Sequence, residues 1–340
     1  MRLNRQWLSQ ASLAALGVVV GVSLGLLAVR GTDWRVVGET LKDIPFWVFV
    51  PAVGLVIASS YLRALRWSMM WLDRRVSAVR LMMVENAAIG LNNLAPIRIF
   101  DEGVILGILT LRDKLPAGQV VATGIMARIQ DLAFTLLFVS LAVIFLPALW
   151  IYAPVVFGAI LFFAGWLLLL LFFNKIAERF PVVRRIPGVS SFQEGIRELW
   201  RRKRLLVTTY IITAAYWLLL APVGLLLARA VGIDLPFHLI MVTVLGTTFF
   251  STAVPGLPGA LGTFQFATVQ LLSLWDVPQD QALSFAILLH AVLFLPITAY
   301  TVFVLPREGI GSVRALREML RTRRSNGQVN STASEGPARG

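Results

Sequence analysis

Long apolar runs alternate with short polar segments along the chain, and six of the runs approach or exceed the ~20 residues that a helix needs to cross the hydrocarbon core. They occupy 11–29, 46–62, 119–146, 153–173, 205–230 and 282–305. Two further apolar stretches, 81–111 and 238–275, are broken by Pro96 and by Pro255 and Pro258. The legs either side of Pro96 are about 15 residues each, roughly 22 Å of helix, which suits half-depth better than a crossing. A broken helix survives inside hydrocarbon only where protein or a water-filled cavity covers its freed backbone groups. The pattern predicts an all-α polytopic membrane protein with six full transmembrane helices plus two re-entrant helical hairpins in an inverted-repeat-like arrangement. For the longer stretch, 238–275, two complete crossings remain open.

Charge sets the orientation. Of the 31 Lys and Arg residues, 25 fall in five segments, 1–10, 63–80, 112–118, 174–204 and 306–340. The loops 30–45, 147–152, 231–237 and 276–281 hold only Arg30, Arg35 and Lys42 against six acidic residues. Basic loops stay on the cytoplasmic side, so both termini are expected there, in the cell inner (plasma) membrane. Each hairpin is then flanked by loops of one side and must return to the face it left. The excess of +13 therefore reads as orientation and attraction to anionic lipid headgroups, with no nucleic acid partner. The reading is of one transmembrane unit over 1–305, with a cytoplasmic basic loop at 174–204, followed by a basic, largely disordered tail over 306–340. Within the basic loop, Phe192, Ile196 and Leu199 share one helical face, as in an interfacial helix, although a solvated basic loop fits nearly as well. The chain has no cysteine and two histidines, so no disulfide, metal site or cofactor is expected.

Ionisable groups inside apolar segments cost about 2.5–3.5 kcal/mol each at a helix centre, which singles out a short set. Arg98, Asp101 and Glu102 follow Pro96. Arg128 and Asp131 lie at i and i+3 within a span, where they pair with each other or line a cavity. His290 sits midway along the last span, as a buried hydrogen-bonded histidine or as a site residue. Around the second break, Pro255, Gly256, Pro258, Gly259 and Gly262 free backbone groups, either for a phosphate at the start of the next helix or merely for a tight turn. Gln265 follows one turn later. Arg63 and Arg66, with Trp67, end the second span, as headgroup anchors or as headgroup ligands facing the hairpin.

Together, Leu62 through Trp67, Asn93 through Pro96 and Arg98 to Asp101, Arg128 with Asp131, and Pro255 through Gly262 resemble the lysylphosphatidylglycerol synthase transmembrane domain family. The resemblance covers most of the chain and implies a bundle with two re-entrant hairpins that moves a lipid or lipid-linked headgroup between leaflets. Lysyl transfer is not implied, because no soluble transfer domain is present. Against the family pattern, Phe100 stands for a glycine, Val104 for an arginine, Ala127 for an acid, Gln265 for a glutamate and His290 for an arginine. These departures point to a less charged headgroup or a different coupling. The preferred expectation is a flippase-like transporter of an anionic phospholipid rather than an enzyme, with all fourteen site residues named above lining its path. An intramembrane lipid-modifying enzyme and a non-transporting accessory subunit are the alternatives. A second copy of the chain or a lipid-modifying protein would be its protein partner.

Overall fold

The computed structural model describes residues 2–72, 75–94, 100–179, 189–254, 256–304 and 306–307. At 2–14, 100–102, 169–171, 173–179 and 189–192 it describes the backbone alone. Helices α1 (Arg2–Val29), α2 (Trp34–Lys42), α3 (Phe49–Met69), α4 (Ala78–Leu94), α5 (Phe100–Gly107), α6 (Ala117–Phe145) and α7 (Ala153–Arg179) make the first half. Helices α8 (Val189–Arg201), α9 (Lys203–Leu218), α10 (Leu220–Ala230), α11 (Phe237–Ala253), α12 (Thr263–Ser273) and α13 (Gln279–Val304) make the second. No strand occurs among the described residues. Five helical stretches, Phe46–Met69, Ala117–Phe145, Pro147–Leu168, Lys203–Ala230 and Gln279–Val304, are long and apolar enough to cross a bilayer. α1 and α2 form a sixth candidate that bends by 86°. Gly31, at φ 83°, sits in that bend, and Asp33 caps α2 by accepting from the Arg35 amide at 2.9 Å.

Both interrupted stretches form helical pairs, α4 with α5 and α11 with α12. α11 and α12 have 17 and 11 residues, about 25 and 17 Å by helical rise, and so are shorter than the five long stretches. Two polar clamps sort the helix ends by face. On the charge-poor side, Gln279 Nε2 donates to the carbonyls of Ala28 and Arg30 at 3.0 and 2.7 Å, and the Asp33 amide donates to Asp280 at 2.9 Å. On the basic side, Arg80 at the start of α4 donates through Nε and Nη2 to Asp113, just past the π-helical turn Ile108–Arg112, at 3.1 and 3.0 Å. Arg112 donates to the carbonyl of Arg307 at 2.8 Å. The start of α4, the end of the π-helical turn and the end of α13 therefore share a face. Arg80→Gln is expected to cost about 1 kcal/mol, since the pair is partly exposed. Hydrogen exchange should quicken in the first turn of α4 and around residues 108–112, while the amides of Leu91–Leu94 keep their rates.

The apolar core is split in two. One cluster, including Val56, Phe134, Val223, Leu245, Phe264 and Leu289, fills the charge-poor half. The other, including Ala64, Trp67, Leu81, Leu109, Met126 and Leu199, fills the basic half. Reading along α3, α6 and α9, the residues that separate the clusters are polar: Ser59, Ser60 and Arg63; Gln130 and Asp131; Thr209 and Thr213.

Three features differ from the sequence expectation. The second span runs on to Met69, beyond the predicted end at 62, because its two arginines are taken inside the bundle rather than left at its rim. The predicted span 205–230 stands as one crossing-length stretch, Lys203–Ala230, but carries an unexpected break at Leu219. α8 packs on α6 rather than lying free as a solvated loop: Ile196 and Leu199 are buried, and a methyl at Gly195 would stand 3.0 Å from Ala122 Cβ.

Two close approaches hold the helical pairs, one at the turn before α12 and one at α4. Gly17, Gly21 and Gly25, on one face of α1, lie against the turn before α12, and a methyl on Gly21 would meet the Leu257 amide nitrogen at 2.5 Å. Such small-residue faces let backbones approach where lipid supplies no hydrophobic drive. On α13, Pro296 removes one backbone donor, and the segment just beyond it packs on Gly90 of α4, where a methyl would stand 2.8 Å from the Ile297 carbonyl oxygen.

Candidate functional site

The polar layer between the two cores is built from four charged groups on three helices. Arg66 lies one turn after Arg63 on α3, so both project from one side of the helix. Arg66 is 1% exposed. Its Nη1 donates to Asp131 Oδ1 at 2.6 Å, to Thr213 Oγ1 at 3.1 Å and to the Ala127 carbonyl at 3.3 Å, while Nη2 lies 3.5 Å from Oδ2. The Tyr216 hydroxyl also donates to Asp131, and the guanidinium stands over the Tyr216 ring at 5.2 Å. A buried charge needs several such partners, because desolvation outweighs a lone Coulombic contact; here they gather on the Nη atoms, while Nε is buried without an acceptor. Trp67 is buried as well and donates to Thr123 at 3.0 Å. Neither Arg66 nor Trp67 faces lipid, since α6 and α9 close over that face of α3.

The other arginine is held differently. Arg63 Nε is 3.4 Å from Glu85 on α4, and its Nη2 donates to Asn86 Oδ1 at 3.1 Å. The side chains of Arg63 and Glu85 are 22% and 14% exposed. Glu85 was not singled out in the sequence, although an acid in an apolar leg carries the same signal that selected the others.

Asp131 was expected beside Arg128, three residues earlier on its own helix, and its described partners are Arg66 and Tyr216 on neighbouring helices. Arg128 is exposed eleven residues inside α6, about 16 Å from its start. Arg98 and Pro255 lie outside the described residues, as do the side chains of Asp101 and Glu102, whose backbone belongs to the first turn of α5.

The two breaks meet. A methyl on Gly259 would stand 3.4 Å from the carbonyl oxygen of Asn93, near the end of α4. Asn93 Nδ2 donates to Thr298 Oγ1 of α13 at 3.1 Å. Around the outer turn the polar groups are joined in series. The Gly262 amide donates to Gln265 Oε1 at 2.8 Å, Gln265 Nε2 faces His290 Nδ1 at 3.1 Å, and His290 Nε2 faces the Gly259 carbonyl at 2.7 Å. That order requires His290 to accept at Nδ1 and donate at Nε2, the neutral Nε2–H tautomer. Phe264 and Phe294 enclose the ring at 4.9 and 4.3 Å between centroids. Gln265 and His290 thus brace the turn, and Gly256 and Pro258 shape it; the amides of Ala260 and Gly262 already donate internally, to Leu257 and Gln265.

Comparison with known families places this geometry. The model of the lysylphosphatidylglycerol synthase TM region matches residues 14–300, which spans both hairpins and the polar layer. The chain belongs to that family. Lysylphosphatidylglycerol synthase TM regions are membrane domains linked to lipid biology, and the multi-pass helical architecture here agrees with membership. No curated protein matches the chain closely enough to report.

Proposed function

We propose that this member of the family is a flippase-like transporter that moves an anionic phospholipid or lipid-linked headgroup between leaflets, past the junction of the two hairpins. The reading is carried by Arg128: an arginine left exposed about 16 Å inside a long apolar helix, beside a buried and charge-balanced Arg66–Asp131 pair. An exposed guanidinium at that position is within reach of a passing phosphate. Arg98 and Arg128 contact the phosphate, Asp101 and Glu102 orient them, and Asp131 holds Arg66 so that α3 and α6 keep their spacing. Opposed hairpins touching at Gly259 and Asn93 suit an inverted repeat around a midplane path. The basic face is cytoplasmic in this reading, in the inner membrane, with both termini on that side.

The test is lipid translocation in proteoliposomes containing labelled phosphatidylglycerol. Arg128→Ala is expected to slow wild-type movement about tenfold or more, the loss of one charge-assisted hydrogen bond. Equal rates would remove Arg128 from the path, and no translocation by the wild-type protein would end the reading.

A further inference from the structure

The two arginines of α3 stand one turn apart, yet their counter-ions hold them unequally. Arg66 is enclosed, with its Nη atoms held by Asp131, Thr213 and the Ala127 carbonyl, whereas Arg63 has one carboxylate at 3.4 Å and one amide oxygen at 3.1 Å, with both members of the ion pair reaching the surface. Arg63 lies six residues, about 9 Å, inside the Met69 end of α3, and Glu85 seven residues, about 10 Å, inside the start of α4. A phosphate entering from the basic face meets this pair after a short descent. Glu85 also sits within Coulombic reach of Arg66. A partly exposed carboxylate held by one guanidinium at 3.4 Å is in the position of an exchangeable counter-ion.

We propose that Arg63 and Glu85 form an ion-exchange site: a phosphodiester headgroup takes Arg63 by displacing Glu85, which serves as the resting counter-ion and sets the affinity. Glu85 is thus a positioning residue that competes with the ligand for one guanidinium. Asn86, whose Oδ1 holds the second arm of Arg63, keeps the guanidinium in place during the exchange. This proposal rests on the transporter reading for its physiological ligand, but it predicts a binding behaviour that exists with or without transport. The shared chemistry is a phosphate anion, either on a lipid or free in solution.

The sign of one substitution separates competition from simple support. Equilibrium binding of radiolabelled dihexanoylphosphatidylglycerol to the purified full chain in detergent is compared among wild type, Glu85→Gln, Arg63→Gln and the double variant. Glycerol phosphate serves as the free-phosphate arm. Glu85→Gln is expected to tighten lipid binding about fivefold, the upper end for a partly exposed pair. Arg63→Gln should abolish the saturable component, and in the double variant the gain from Glu85→Gln should vanish. Glu39→Gln, on the charge-poor face, controls for a general change in net charge and should leave binding as it was. Tightening for the lipid but not for glycerol phosphate assigns the site to a headgroup; tightening for both assigns it to phosphate as such. Weaker or unchanged binding in Glu85→Gln, or a gain that persists without Arg63, overturns the proposal. If wild type fails to move lipid while Glu85→Gln still binds more tightly, the transporter reading falls and the exchange site stands.

Discussion

Asp131→Ala will lower the unfolding free energy by about 3–5 kcal/mol, because it strands a guanidinium that is 1% exposed and leaves it no carboxylate. Denaturant unfolding in detergent, followed by tryptophan fluorescence, measures the loss. The companion variant carries the sharper expectation. Replacing both partners, as in Arg66→Met with Asp131→Leu, will recover most of the lost stability, since buried ion pairs replaced by apolar groups of similar volume are often neutral or better. Tyr216 then loses the acceptor of its hydroxyl, so full recovery requires Tyr216→Phe as well. A double variant as unstable as Asp131→Ala would show that the pair is more than a balanced charge in a closed layer.

Gly262→Ala will detach α1 from the outer hairpin. At φ 80° an alanine is strained by about 1–2 kcal/mol, and its Cβ would lie 1.9 Å from the Gly21 carbonyl oxygen, which no rotamer change relieves. Backbone must therefore separate from backbone, and the whole seam of Gly17, Gly21 and Gly25 opens with it. Hydrogen exchange along residues 17–25 is expected to accelerate by orders of magnitude, with a fall in thermal midpoint of several degrees for a loss of this size. Gly54→Ala is the control: nothing lies within 4 Å of a methyl there, so the change should be neutral or gain up to about 1 kcal/mol of helix propensity. Unchanged exchange in Gly262→Ala would mean that the seam is not what holds α1.

The helical class and the membrane setting were legible in the sequence because they depend on local properties: run length and charge distribution. What was misread involved choices made between helices. Hydropathy ended the second span before Arg63, since it counts every arginine as surface-seeking and cannot see that Asp131 and Thr213 wait on other helices. The i, i+3 spacing of Arg128 and Asp131 could not show that Arg66 and Tyr216, on other helices, also reach that carboxylate. Glu85 was passed over beside the cluster at 98–102, though it meets Arg63 in the folded chain. The glycines of α1 recur every four residues, a signal present in the sequence and readable as a packing face. Gln265 and His290 were flagged as departures from a charged family pattern, and they form one uncharged relay across the turn.

α13 touches both hairpins, at different heights. Its first part reaches the outer turn through His290 and Phe294, and its last part reaches the inner leg through Thr298 and Thr301, whose hydroxyl donates to the Asn86 carbonyl at 3.0 Å. Pro296 lies between the two sets of contacts. An interior proline removes one backbone bond of the helix, so bending of α13 costs least between the two sets of contacts.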